Sequence, residues 1–193
     1  MKKLFLIILG IVLLSQTALA NDKKIVEELI KNTFNQVIET LQKKDLLPED
    51  KDCRVIEIIT PVFAFPKMAK LSLGRTHWSK LNKDQKEKFT SLFIKRLKSS
   101  YLEKLNLYTD EAIIYKDALK IKKKIHFPTE LISKDNKISM LYKLYKSKTG
   151  WKIYDIEIQG VSLISAYRSQ FDQILQKGTV KDLINKLENP EST

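Results

Sequence analysis

WKIYDIEIQGVSLISAYRSQF, residues 151–171, sets a strand, a turn and a helix in one run. In a strand, alternate residues share a face, so Trp151 and Ile153 fall on one side and Tyr154, Ile156 and Ile158 on the other. Apolar residues on both faces predict a strand covered on both sides. Asp155 and Glu157 share the Trp151 face, which turns polar toward its end. Gly160 supplies a positive φ or a close backbone approach at the turn, and Ser162 suits a helix N-cap. Beyond it Ile164, Tyr167, Phe171, Ile174 and Leu175 repeat at helical spacing. An ordinary strand–turn–helix core accounts for these apolar positions.

Upstream of this run the period is two from Leu107 onward. Four strands are predicted, over 111–117, 119–128, 137–147 and 151–159, with turns at Lys134-Asp135-Asn136 and Thr149-Gly150. Along Leu119 to Phe127, Lys120, Lys122, Lys124 and His126 alternate with Leu119, Ile121, Lys123, Ile125 and Phe127, which reads as one strand with a wet face. Ile138, Met140, Tyr142 and Leu144 share a face of the third strand. Before the strands the period is helical. Asp22 to Lys44 is one helix, and Cys53 to Thr60 a short one. A third begins at Pro61 and runs to about Leu73, with Pro66 kinking it and Gly74 ending it. The longest covers 82–105, with Phe89, Phe93, Leu97, Tyr101 and Leu105 on its apolar stripe. Two helices close the chain, 162–176 and 179–187, separated by Gly178, and a frayed tail follows from Pro190. Helices, then consecutive strands, then helices imply an α+β domain with an antiparallel sheet.

The first 20 residues read as an address. Lys2 and Lys3 precede a continuous apolar run from Leu4 to Leu14, and Ala18-Leu19-Ala20 fits a cleavage site. The run is short for a bilayer span. A cleavable Sec signal over 1–20 is expected, with a single domain over 21–193 and a periplasmic location; an uncleaved inner-membrane anchor is the alternative. No Cys stands at the cleavage point, which speaks against a lipoprotein, and the only Cys, Cys53, excludes an internal disulfide. It reads as buried filler or a mildly exposed thiol. The net charge is +12, and +10 without Lys2 and Lys3. Such a charge suggests nucleic acid in a cytosolic protein, but export argues against that partner. The lysines read as solvated faces, or as a surface suited to anionic membranes or acidic proteins.

Catalytic chemistry is hard to assemble from these residues. The two His, His77 and His126, fall at a helix–loop junction and on the wet strand face. No H-E-x-x-H, C-x-x-C, G-x-S-x-G or P-loop occurs, and metal-ligand spacing is absent. Asp155 and Glu157 form a weak acid–base pair and read better as partners for Lys or Arg.

Three pieces of the opening stretch, W-K-x-Y-D, G-V-S-L and Y-R-x-Q-F, closely resemble the C-terminal signature of the MlaC family of periplasmic phospholipid-binding proteins, also known for toluene tolerance. A second region agrees in order: Phe65, Met68, Ala69, Leu73 and Gly74, then Trp78, then Gln85, Phe89 and Phe93, then Leu97, Tyr101 and Leu105. Ala64 departs from the pattern, since many relatives carry Asp before the Phe. The resemblance implies N- and C-terminal helices on a curved four-stranded antiparallel sheet that encloses an apolar cavity. It implies a monomeric shuttle with phospholipid as cargo and no cofactor, metal or catalysis. The implied partners are an inner-membrane ABC transporter with an MCE-domain ring and an outer-membrane lipoprotein–porin complex, and the implied role is upkeep of outer-membrane lipid asymmetry. Two acyl chains of roughly 15 methylenes cost on the order of 20 kcal/mol in water, so a carrier needs a cavity near 1,000 Å³. Its expected lining is Met68, Leu71, Phe93, Leu97, Tyr101, Ile125, Phe127, Tyr142, Leu144, Ile156, Ile158, Val161, Leu163, Tyr167 and Phe171; a solid core would use the same residues. Arg75 and Arg168 are the expected phosphate contacts, or else structural ion-pair partners. A periplasmic adaptor with a filled core and a small-molecule enzyme on a cone-like α+β fold are the competing readings.

Overall fold

The computed structural model describes residues 2–105, 112–133 and 136–189. The predicted first residue of the first strand, most of the 134–136 turn, the onset of the period change and the tail from Pro190 lie outside them. Among the described residues six helices and six strands follow one another, with helices before and after the strands in the expected order. They are α1 (Lys2–Gln42), α2 (Pro48–Ile59), α3 (Phe65–Lys80), α4 (Lys83–Leu105), β1 (Ala112–Tyr115), β2 (Leu119–Ile121), β3 (Lys124–Ser133), β4 (Asn136–Ser147), β5 (Gly150–Ile158), β6 (Val161–Ser162), α5 (Leu163–Lys177) and α6 (Val180–Glu188). The class is α+β with one antiparallel sheet.

Helix starts follow local chemistry. Asn82 and Gln85 cap α4 reciprocally, each backbone N–H donating to the other's side chain at 2.8 and 3.0 Å. Ser162 Oγ accepts from Ser165 N at 3.1 Å at the start of α5, and Thr179 with Asp182 forms a capping box on α6. Two starts differ from expectation. α2 begins at Pro48, whose ring suits a first turn, five residues ahead of the predicted start at Cys53. Pro61 lies in a turn, and α3 begins at Phe65 with Pro66 in its first turn, so Pro66 starts the helix instead of kinking it. The kink is at Gly74 (φ 76°, ψ 158°), and a second helical segment carries on to Lys80. α1 is longer than the predicted 22–44 helix, running unbroken through the Leu-rich apolar stretch before it.

The sheet has the order β1-β3-β4-β5-β6, with β1 and β2 sharing one edge of β3. Six strands replace the predicted four for two reasons. Lys122 adopts φ 57° and turns the chain, so the run 119–128 is a hairpin and not one strand. Val161–Ser162 adds a short strand after the Gly160 turn, where φ is 79°.

β5 departs from the predicted alternation. Ile158, Ile156 and Ile153 pair with Met140, Tyr142 and Leu144, and the register slips between Lys143 and Leu144. The extra residue, Tyr154, makes a β-bulge that reverses the alternation. Trp151, Ile153, Ile156 and Ile158 therefore share the inner face, while Asp155 and Glu157 pair with Lys143 and Leu141 on the outer one. The predicted split of Ile153 from Ile156 assumed unbroken alternation. Beside the bulge, Ile153 bonds the chain ahead of α3: Ala64 N donates to its carbonyl at 2.8 Å, and its N–H donates to Val62 O at 2.9 Å.

Most of the buried apolar side chains form two clusters. Phe65, Met68, Leu73, Phe89, Phe93, Leu97, Leu163, Phe171 and Leu183 fill the space among α3, α4, α5 and α6. Val26, Ile30, Val62, Ala118, Ile125, Phe127, Tyr142, Leu144, Trp151, Ile153 and Ile156 join α1 to the inner face of the sheet.

Candidate functional site

A cavity lies where these two clusters face each other. Its wall takes Ile30, Thr33, Phe34 and Val37 from α1, Ile59 from α2, and Phe63 from the connection. Phe65 and Met68 come from α3, Leu97, Lys98 and Tyr101 from α4, Met140, Tyr142, Ile153 and Ile156 from the sheet, and Leu163 from α5. The cavity volume is about 160 Å³, or about 880 Å³ of atom-free space when its open mouth is included. Small-molecule cavities run from about 300 to 1,000 Å³, well above the enclosed 160 Å³ here. The walls thus stand closer together than a two-chain cargo calls for.

The lining is almost wholly apolar, and its few polar atoms are occupied. Thr33 Oγ1 donates back to Leu29 O at 2.7 Å. Tyr142 Oη lies 3.5 Å from Met140 Sδ, and burial pushes its pKa well above the usual tyrosine value, so it stays a neutral phenol. Burial, with Tyr167 nearby, also raises Tyr101. The exception is Lys98. Its ammonium stands over the Phe65 ring, 5.4 Å from the centroid, and no carboxylate among the described residues lies within ion-pair distance.

Of the fifteen expected lining residues, Met68, Leu97, Tyr101, Tyr142, Ile156 and Leu163 stand on this wall. Phe93 and Phe171 are instead in the helical core, with Leu71 and Tyr167 packed against it. There Phe93 meets Tyr167 and Phe171 edge-on at 5.2 and 6.3 Å, and Phe89 meets Trp78 at 6.4 Å. Ile125, Phe127 and Leu144 are fully buried under α1, with Ile158 at the margin of that cluster. Val161 lies on the surface, 61% exposed. α4 passes from one setting to the other along a single stripe: Phe89 and Phe93 are core, and one turn later Leu97 and Tyr101 are wall.

Arg75 is exposed on α3 and off the wall. Arg168 reaches across from α5 and donates through Nε, at 3.0 Å, and Nη2 to Leu71 O. That carbonyl is orphaned because the Gly74 kink removes its helical partner, so Arg168 caps the interrupted helix. The wall residues of α1 escaped the sequence reading, although Ile30, Phe34 and Val37 sit at helical spacing on one face.

Several titratable groups away from the cavity are held in pairs. Lys143 Nζ binds Glu157 at 2.6 Å and Asp155 at 3.3 Å. Burial works against its charge, and the Glu157 hydrogen bond and the Asp155 charge outweigh it, so its pKa is raised. Asp155 also accepts from Ser162 Oγ and Ile164 N at the start of α5. His77 Nε2 lies 3.7 Å from Asp172, and Cys53 is exposed on α2. No group of three or more His, Cys, Asp or Glu among the described residues could hold a metal.

The family model described as MlaC protein matches residues 31–189. Among solved structures, a phospholipid-binding protein from Ralstonia solanacearum, determined in complex with a phospholipid, superimposes with a TM-score of 0.75 at 23% identity. The match covers 83% of this chain and 93% of that one, and it is a likeness of fold. No curated protein matches the chain.

Proposed function

This chain belongs to the MlaC family, and from that premise we propose that it is a phospholipid carrier that holds acyl chains in the cavity and catalyses no reaction. The observation that carries the reading is the gap between the two apolar clusters, walled by both and lined almost wholly by hydrocarbon. The Ralstonia relative of the same fold binds a phospholipid. Acyl chains enter between α1 and α4 and displace the walls to reach their full volume. Lys98 meets the phosphate at the rim, in place of Arg75 and Arg168, because it is the cation that shares the wall with the chains.

The leader over residues 1–20 is removed on export, and the domain over 21–193 works in the periplasm. There it moves phospholipid between an outer-membrane lipoprotein–porin complex and an inner-membrane ABC transporter with an MCE-domain ring, and so helps to keep the outer membrane asymmetric. The narrow cavity favours one other reading, an adaptor with a filled core that binds proteins and no lipid.

Native mass spectrometry of protein purified from a bacterial periplasm separates the two. A carrier shows a discrete added mass that fragments as phospholipid, reduced in Lys98→Ala. An adaptor shows the bare chain and gains nothing after incubation with phospholipid vesicles.

A further inference from the structure

Paired residues across antiparallel strands share a face, and on the face of the sheet away from the cavity two such rows lie side by side. One is Ile121, Lys124, Tyr145 and Lys152; the other is Leu119, His126, Lys143 and Asp155. Leu119 and Ile121 are exposed at 50% and 45%, unusual for large aliphatic side chains. Lys120, Lys122, Lys123 and Lys124 stand in the same hairpin, and no acidic residue occurs between Asp117 and Glu130.

More positive charge is drawn to this place. Lys67 reaches over from α3 and sets its ammonium 3.4 Å from the Tyr145 ring centroid, and Lys124 lies 4.5 Å from that of Tyr154. Burial, Lys124 and Lys70 together depress the pKa of Lys67; burial, Lys143 and Lys124 depress that of His126. The carboxylates of this face are already held, Asp155 and Glu157 by Lys143 and Glu130 by Lys116 and Lys137. Among the described residues no carboxylate lies within ion-pair distance of Lys67 or Lys124. Like charges gathered over tyrosine rings need an anionic partner, and two exposed aliphatic side chains beside them need an apolar one. A bilayer with anionic headgroups supplies both at once.

We propose that the β2–β3 hairpin and the adjoining lysine–tyrosine patch form a docking surface for an anionic lipid bilayer. An acidic protein would need an apolar patch of its own placed opposite Leu119 and Ile121, whereas a bilayer offers hydrocarbon beneath every anionic headgroup. The surface is separate from the cavity, so the proposal stands whether or not the cavity holds lipid.

The test is co-flotation of periplasm-purified protein with vesicles of phosphatidylcholine alone or mixed equally with phosphatidylglycerol. The wild type floats with the anionic vesicles, less so in high salt, and stays free of the neutral ones. Each lysine near an anionic surface contributes roughly fivefold, so Lys122→Gln/Lys123→Gln/Lys124→Gln lowers partitioning on the order of a hundredfold. Leu119→Ser/Ile121→Ser lowers it about tenfold. Thermal melts and native masses matching the wild type show that fold and cargo are intact. Equal flotation with both vesicle types, no flotation, or wild-type flotation of either variant overturns the proposal. Absence of flotation with either vesicle type leaves an acidic protein as the occupant of the patch.

Discussion

Ile125 and Ile156 lie on the same face of the same sheet, yet one is in solid core and the other on the cavity wall. Substituting Phe at each makes the same chemical change in two different surroundings. At Ile125, fully buried beneath α1, the larger ring has no room and forces its neighbours off their rotamers. Overpacking of this kind costs about 1–3 kcal/mol. At Ile156 the ring has a cavity of about 160 Å³ beside it. The added volume is comparable with one water, roughly 30 Å³, so the ring fits and buries new apolar surface. Filling such a cavity stabilises by about 0.5–2 kcal/mol. The two variants should therefore move in opposite directions, Ile125→Phe losing roughly 2–4 °C in Tm per kcal/mol and Ile156→Phe holding or gaining. Urea unfolding of both, monitored by tryptophan fluorescence, gives the free energies directly. The carrier reading adds that Ile156→Phe takes up less phospholipid. Equal destabilisation by the two substitutions would refute the two-cluster account, because the space beside Ile156 would then be filled.

Gly74→Ala meets no steric clash, since a Cβ there would stand 3.7 Å from Arg168 Nε. Its backbone conformation is nearly exclusive to glycine, so the variant loses about 1–3 kcal/mol in denaturant unfolding. Arg168→Ala leaves Leu71 O uncapped and costs about 1 kcal/mol at this exposed site; wild-type phospholipid uptake in that variant would support its capping role. Asp155→Ala strips a buried acceptor from Ser162, Ile164 and Lys143 and costs about 2–3 kcal/mol, whereas Glu157→Ala costs less. The Lys146 hydrogen bond holds Asp22 below its usual pKa, the Lys116 and Lys137 bonds do so for Glu130, and Thr179 does so for Asp182. Depressed carboxylates stabilise the fold above their unfolded values and lose that contribution as pH falls through the folded ones. Stability should thus be level at neutral pH and decline below about pH 4. An Asp22→Asn/Glu130→Gln/Asp182→Asn variant should decline less steeply in urea titrations at pH 7, 4 and 3, and an unchanged slope would reject this source.

What could be read in advance had a local cause. Ser162 and Thr179 announce their helices because a hydroxyl before an apolar repeat satisfies a free N–H. The hairpin at Lys122-Lys123 is hidden, since neither residue is one that turns favour. The β5 bulge is equally silent: a register slip depends on what lies across the strand, and it moved Asp155 and Glu157 to the other face. Pro66 carries two meanings, kink or first turn, and only the bond from Ala64 N to Ile153 O fixes the second. Most of the cavity wall was illegible for a deeper reason. Phe93 and Leu97 are one turn apart on one apolar stripe and have the same periodic signal, but opposing helices meet the first and leave a gap at the second. The family motifs do not resolve this, because Trp78, Phe89, Phe93 and Phe171 build the helical core that props up one wall.

The most direct test of the cavity is a phospholipid carrying a photoreactive diazirine along one acyl chain, irradiated with the protein and mapped by peptide mass spectrometry. The account predicts adducts on Met68, Leu97, Tyr142 and Ile156, from both clusters. Adducts confined to surface residues such as Val161, or no adducts under conditions that label a known lipid carrier, would contradict it.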